Sequence, residues 1–359
     1  MSAKKWLRFW GIMYMFFLIA IIGLVVYIDP FFHYHGPIDK FVYPFYEQRY
    51  INDGITKHFE YDAMITGTSM TENFKTSEFD ELFDVNSVKI PYSGSTFKEI
   101  NDNLKVALET HPEMKYVVRC LDYEKLLDSP DKMRTDLGEY PEYLYDDNIV
   151  NDVKYVLNKS VLFDYCGISV RSYLKGEEGR ITSFDEYANW SHTYPDYGAK
   201  LVLGDRTEYQ KADTEDVLTE AERENLIKNI KQNVVDLALQ NPQTQFLYYF
   251  SPYSVAYWGE RYENGEISKQ LEAEKTAIEL ILECENIQLF SFNHLKEITT
   301  NLDNYRDALH YGEWINSFVL QSMAKREYLL TKENYMEYLK IEKELYESYD
   351  YSGLFLAKK

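Results

Sequence analysis

The sequence predicts an α/β protein: a parallel sheet covered on both faces by helices and tethered by one N-terminal membrane-spanning helix. Two observations carry this reading. After residue 60, short apolar runs of strand length alternate with longer stretches of helical periodicity, the pattern of a parallel sheet with crossover helices. Before it, Phe9 to Ile28 is a run of 20 residues without a charge, enough for a helix to cross the hydrocarbon core of a bilayer.

Lys4, Lys5 and Arg8 precede that run and Asp29 follows it. The positive-inside bias therefore puts residues 1–8 in the cytoplasm and everything after residue 28 outside. Trp6, Trp10 and Tyr27 suit the two interfaces. A cleavable signal would have a shorter apolar region ending at small residues; Val26 to Pro30 offers no such site, so 9–28 is expected to remain as an anchor. Residues 29–59 read as a juxtamembrane connector, 60–325 as the globular domain with an irregular insertion over 128–215, and 326–359 as a helical tail.

Within the globular part, Ala63 to Thr66 is an apolar strand closed by Gly67. Thr76 to Phe83 reads as helix and Val85 to Ile90 as the second strand. Phe97, Ile100, Leu104 and Leu108 recur at helical spacing, and Met114 to Leu121 is the third strand. Helices are expected at Ile149 to Leu157 and Val161 to Leu174. Thr219 to Glu222 fits a capping box opening a helix through Leu239, stopped by Asn241 and Pro242. Phe246 to Phe250 is a buried strand, Ile267 to Cys284 a helix and Ile287 to Phe292 the last parallel strand. Gly312 to Ala324 and Thr331 to Tyr346 close the chain as helices.

The net charge of −21 argues against a nucleic-acid surface and weighs against a bulk polyanion as substrate. Cys120, Cys166 and Cys284 are odd in number and share no metal-like spacing, so they read as buried small apolar residues. His33 and His35 lack partners at ligand spacing and read as interfacial residues. Neither a metal nor a cofactor is expected.

The residues that carry chemistry are Ser69, Asp307 and His310. Ser69 follows the first strand, so it projects from the carboxyl edge of the sheet, where open α/β sheets bind their ligands. A serine hydroxyl becomes a nucleophile when an adjacent base takes its proton, and that base works best when a carboxylate fixes its tautomer. Asp307 and His310 are close enough in sequence to meet across one turn.

With this serine in an N-terminal block and D-x-x-H in a C-terminal one, the chain resembles the SGNH (GDSL-like) hydrolase superfamily over roughly residues 60 to 325. The stretch from Asp62 to Phe74 looks most like its membrane-anchored branch, which acts in alginate acetylation and D-alanyl transfer to teichoic acids. The resemblance implies a three-layer, flavodoxin-like α/β/α fold. It also implies an oxyanion site formed by the Ser69 backbone N–H and, from the second block, Gly94. The family's third block carries an Asn where this chain has Asp122. An ionised carboxylate there would repel an oxyanion, so either another donor serves or turnover is weakened.

Of the 33 tyrosines, those near the motifs are candidates to line a glycan cleft. Tyr92, Tyr253 and Tyr311 are the foremost, with Arg306 placed either to bind a substrate carboxylate or to pair with Asp303. The leading reading is an extracytoplasmic serine O-acyltransferase or esterase acting on a cell-envelope polysaccharide. Its partners would be the glycan, an acyl donor and a membrane-bound O-acyltransferase. A weakened SGNH-like glycan-binding or assembly protein, and an anchor protein whose motifs are accidental, remain as alternatives.

Overall fold

The computed structural model describes residues 2–136 and 140–356. Residue 1 of the N-terminal segment, residues 137–139 of the irregular stretch and residues 357–359 of the tail lie outside the described residues. The chain divides into two compact units, one of residues 1–59 and 135–183, the other of residues 60–134 and 184–359. The stretch 128–215 is thus shared between the units, and the residues after 325 belong to the second.

The first unit begins with the helix Ala3–Ile28, long and apolar enough to cross a membrane. Ser2 caps its start and Asp29, with φ +48°, ends it. Only its last turns are covered: Val25 and Ile28 are buried, whereas Trp6 to Leu24 are largely exposed. The Asp29 carboxylate accepts the backbone N–H groups of His33, Tyr34 and His35 and the Tyr155 hydroxyl, the last at 2.7 Å. This ties the helix exit to the segment after residue 150. Around it an aromatic cluster forms, with Phe31 against Tyr50, Tyr155 and Tyr165 and Phe32 against Tyr43. His35 bonds the Val26 and Gly36 carbonyls and His33 bonds Asp152, so both imidazoles are joinery at the helix exit. Val42–Tyr43 pairs in parallel with Arg180–Ile181. Of the helix expected at Ile149 to Leu157, only the turn Val153–Val156 forms; the second, over 161–174, forms as a π turn Val161–Tyr165 running into Cys166–Leu174.

The second unit holds a six-stranded sheet. Its strands are β1 Ala63–Gly67, β2 Ser87–Pro91, β3 Tyr116–Leu121, β4 Gln245–Phe250, β5 Ile287–Ser291 and β6 Leu329–Leu330. The order across the sheet is β2-β1-β3-β4-β5-β6. The first five are parallel and β6 is antiparallel to β5. Nearly every strand residue is buried, as in a parallel sheet whose two faces are both covered. Thr76–Phe83 packs with Glu313–Lys325 as one set of helices; Glu220–Ile230, Ile267–Ile281 and Tyr335–Ser348 belong to another. The capping box at Thr219 and Glu222 is complete. A π turn at Lys231–Val235 interrupts the helix it opens, and the Asn233 carbonyl there accepts from the guanidinium of Arg119, which is fully buried on β3.

Several elements were not expected from the sequence, among them the helices Gln48–His58 and Val255–Asn264 and the two-residue strand β6. The chain switches sides between β1 and β3, the point of an open parallel sheet where the loops after neighbouring strands diverge at its carboxyl edge.

Candidate active site

Each loop at that edge is brought there by strand register. Gly67 of β1 pairs with Pro91 of β2, and the Tyr92 N–H donates to the Gly67 carbonyl at 2.8 Å, so the Gly94 turn lies beside the Ser69 turn. β3 delivers Asp122 to the same place. β4 ends before Pro252 and Tyr253, and β5 before Asn293.

Ser69 opens a single 3₁₀ turn, Ser69–Thr71. Its shape depends on Gly67, whose φ is +151°; a Cβ there would lie 2.5 Å from Cys120 Sγ and 2.7 Å from Thr71 Cγ2. Side chains from across the sequence then hold the carbonyls of the turn. Trp190 Nε1 donates to the Ser69 carbonyl at 3.3 Å and Asn316 Nδ2 to that of Met70 at 3.0 Å. The Lys89 ammonium, fully buried on β2, donates to the carbonyls of Glu72 and Phe74 at 2.5 and 2.9 Å. Burial pulls its pKa down to about 7 against the opposing charge of Glu72.

The D-x-x-H segment is a short loop pinned at its base. Tyr305 and Tyr311 form an antiparallel bridge, and Arg306 N–H donates to the His310 carbonyl at 2.9 Å. Inside it, Asp307 Oδ1 accepts the backbone N–H groups of Leu309 and His310, each at 2.9 Å, while Oδ2 meets His310 Nδ1 at 2.8 Å. This explains the spacing: one carboxylate oxygen builds the turn that carries the imidazole to the other. The remaining nitrogen, His310 Nε2, lies 2.8 Å from Ser69 Oγ. The structure therefore brings Ser69, His310 and Asp307 together in one hydrogen-bonded line.

The electrostatics suit that line. Burial alone would raise the Asp307 pKa, but the His310 hydrogen bond and charge, with the two backbone N–H groups, hold it below 3.8. Burial disfavours a charged His310, and the bond to Asp307 outweighs it, leaving its pKa above 6.5. Of their side chains, 27% of His310 and 50% of Asp307 are exposed, and Ser69 is partly exposed, so the line of groups is reachable from solvent.

The other expected site residues are placed differently. Tyr92, Tyr253 and Tyr311 are buried, at 0, 1 and 1% exposure, so their rings pack the interior instead of lining a cleft. The Asp122 carboxylate is also buried; it accepts the Thr68 hydroxyl at 2.6 Å and the Tyr253 hydroxyl at 2.7 Å. It thus steadies the residue before Ser69. Gly94 has φ +61° and its α-carbon is capped by the Arg134 guanidinium, which donates to the Ser93 carbonyl. Arg306 lies over the Tyr194 ring, 4.3 Å from its centroid, a cation–π contact in place of the pairing with Asp303.

Sequence reasoning missed Trp190, Lys89 and Arg134. Trp190 also sets its ring edge-on to His310, with centroids 5.5 Å apart, and Tyr194 supports Arg306 from the same segment. That segment of the irregular stretch is therefore a wall of the site. Comparison of the chain with protein-family models, curated proteins and solved structures gives no match, and the reading of this site rests on its own geometry.

Proposed function

We propose that the protein is a serine-dependent acyl-transfer enzyme of SGNH type, an O-acyltransferase or esterase acting on a cell-envelope polysaccharide outside the membrane. The observation that supports it is the continuous line from Ser69 Oγ through His310 to Asp307 at the carboxyl edge of the sheet. Strand order 2-1-3-4-5 with loops gathered at that edge fits the three-layer fold the resemblance implies.

In this reading Ser69 Oγ attacks the acyl carbonyl while His310 Nε2 takes its proton, and Asp307 stabilises the resulting imidazolium. The imidazolium then protonates the departing oxygen, leaving an acyl ester on Ser69. Water or a sugar hydroxyl, deprotonated by His310, attacks that ester and regenerates the serine. The backbone N–H groups of Ser69 and Gly94 are the oxyanion donors we assign. A carboxylate has no hydrogen to give, so Asp122 is not among them.

The helix Ala3–Ile28 would span the membrane with its N-terminus inside, and a membrane-bound O-acyltransferase is the partner that such an anchored enzyme suits. Protease added to intact protoplasts should then digest the globular part. Ser69→Ala should abolish labelling by a fluorophosphonate and leave the circular dichroism spectrum unchanged. Equal labelling of the parent and Ser69→Ala proteins would overturn the assignment. The second reading, a catalytically weakened glycan-binding protein, is favoured by Asp122 in the place of the family's Asn. It predicts no labelling of either form together with saturable glycan binding.

A further inference from the structure

The segments of the first unit that pack against the exit of Ala3–Ile28 carry apolar side chains that are largely exposed. Ile149, Val150 and Leu174 are each 78% exposed and Phe163 is 64% exposed; Val153 and Leu157, one helical turn apart, are also exposed. Scattered exposed hydrophobes are ordinary on a protein surface, but these fall within one stretch of chain. The elements Val153–Val156, Val161–Tyr165 and Cys166–Leu174 all pack against the N-terminal helix, whose buried positions, Val25 and Ile28, are in its last turns.

A specific cluster ties the stretch to the helix exit. Lys40 Nζ donates to the Tyr27 hydroxyl at 2.6 Å and lies 5.0 Å from the Tyr27 ring centroid and 5.5 Å from that of Tyr173. Tyr27 is in the last turn of the helix, and Tyr173 adjoins Leu174. An aromatic pair bridged by a lysine is the arrangement that favours a membrane–water interface. Residues 149–175 also hold Lys154, Lys159, Arg171 and Lys175 among Asp152 and Asp164, with Asp146, Asp147, Glu177 and Glu178 immediately outside them. All four basic residues are exposed. Apolar side chains interleaved with lysine and arginine are the composition of an element lying in the headgroup region, its apolar side immersed and its cations at the lipid phosphates.

We propose that the exposed side chains of Ile149, Val150, Val153, Leu157, Phe163 and Leu174 seat the first unit in the headgroup–acyl boundary of the membrane, beside the exit of the N-terminal helix. The proposal rests on the reading that this helix spans the bilayer. It is independent of the chemistry at Ser69. The occupant is the lipid surface, because the elements that carry these side chains pack against the end of the span.

The test uses the full chain in vesicles of phosphatidylcholine and phosphatidylglycerol. Cys120, Cys166 and Cys284 are buried, so single cysteines introduced as Ile149→Cys, Phe163→Cys and Leu174→Cys accept an environment-sensitive dye selectively. Lipids bearing a nitroxide just below the headgroup should quench all three dyes at least about two-fold, and aqueous iodide should leave them bright. Reversing the four basic residues to Glu should reduce that quenching on anionic vesicles. Dyes quenched by iodide and not by the nitroxide would overturn the proposal. So would dyes shielded from both, which would mean that a protein surface covers the face. Met15→Cys, in the middle of the helix, separates the two readings. A Met15 dye quenched by a deep acyl-chain nitroxide keeps the span whatever the other dyes do. Its failure to quench, with the other three quenched, would keep the seated face and remove the span.

Discussion

Asp307 and Glu274 are carboxyl groups of the same unit, and they titrate on opposite sides of their ordinary range. Asp307 is held below 3.8 although burial works against it. Glu274 is pushed up to about 7. The difference lies in the partners. Asp307 has an imidazole on one oxygen and two backbone N–H groups on the other. Glu274, fully buried, faces Glu342, also fully buried and likewise shifted upward by burial and by Glu274 itself. The hydroxyls of Tyr123 and Tyr338 donate to Glu274 at 2.9 and 2.7 Å, which offsets the desolvation only in part. Among the described residues no cation pairs with either glutamate, so the pair is stable when a proton is shared between them. Burial thus sets no sign by itself; the donors that meet the charge decide whether a carboxyl becomes an anion bonded to an imidazole or a neutral acid that closes a core.

Replacing the anion by an amide is the most damaging way to break this contrast. Asp307→Asn keeps the shape but loses the imidazolium partner, and labelling of Ser69 by a fluorophosphonate should slow by about 10⁴-fold. An unchanged rate would remove Asp307 from the mechanism. The next effect is one of pH. In the proposed mechanism His310 must be neutral to take the serine proton, and its bond to Asp307 raises its pKa above the ordinary value despite burial. Labelling should therefore fall by about ten-fold per pH unit below that pKa and reach a plateau above it. A rate that is flat from pH 5 to 8 would contradict this.

Stability should run the other way for the glutamate pair. Its folded pKa is raised, so the contribution of its neutral form is complete below the unfolded value near 4.5. It is lost as pH rises through about 7. Glu342→Gln removes one ionisable member, so thermal denaturation at pH 8 should show a gain of about 2 kcal/mol, with less of a gain at pH 5. A loss of stability at both pH values would mean that the pair contributes through its charge. The smallest effect sharpens the catalytic half. Trp190→Phe keeps a ring against His310 but removes the hydrogen bond to the Ser69 carbonyl. At about 1 kcal/mol for such a bond, labelling should slow by roughly five-fold with little change in melting temperature. A loss as large as that of Asp307→Asn would make the ring itself, and not its N–H, the element that matters.

The legible part of this molecule was what short spacing encodes. Ser69 after an apolar strand and a carboxylate three residues before a histidine are local patterns, and the Asp307 turn shows why they are local. The alternation of strands and helices was legible for the same reason. Lys89 was not, because the Glu72 and Phe74 carbonyls that take its ammonium belong to a loop whose position beside β2 no local spacing encodes. Trp190 and Arg134 meet the site from across long loops, and no periodicity marks them. β6 is too short to show any period, and Val255–Asn264 is rich enough in aromatic residues to pass for a cleft lining. At Ile149 to Leu157 the helical spacing was real, yet Ile149, Val150, Val153 and Leu157 face outward and of the apolar residues only Tyr155 and Val156 are buried, too little core to hold more than one turn.

Position 67 is closed to evolutionary drift on two independent grounds. Any side chain there would collide with Cys120 and Thr71, and a backbone at φ +151° is one that only glycine adopts at little cost. A lineage that first shrank residues 120 and 71 would relieve both collisions and leave the dihedral penalty intact. Sequences descended from this one can therefore exchange the residues packed around the turn, in compensating pairs, while the glycine two places before Ser69 stays as it is.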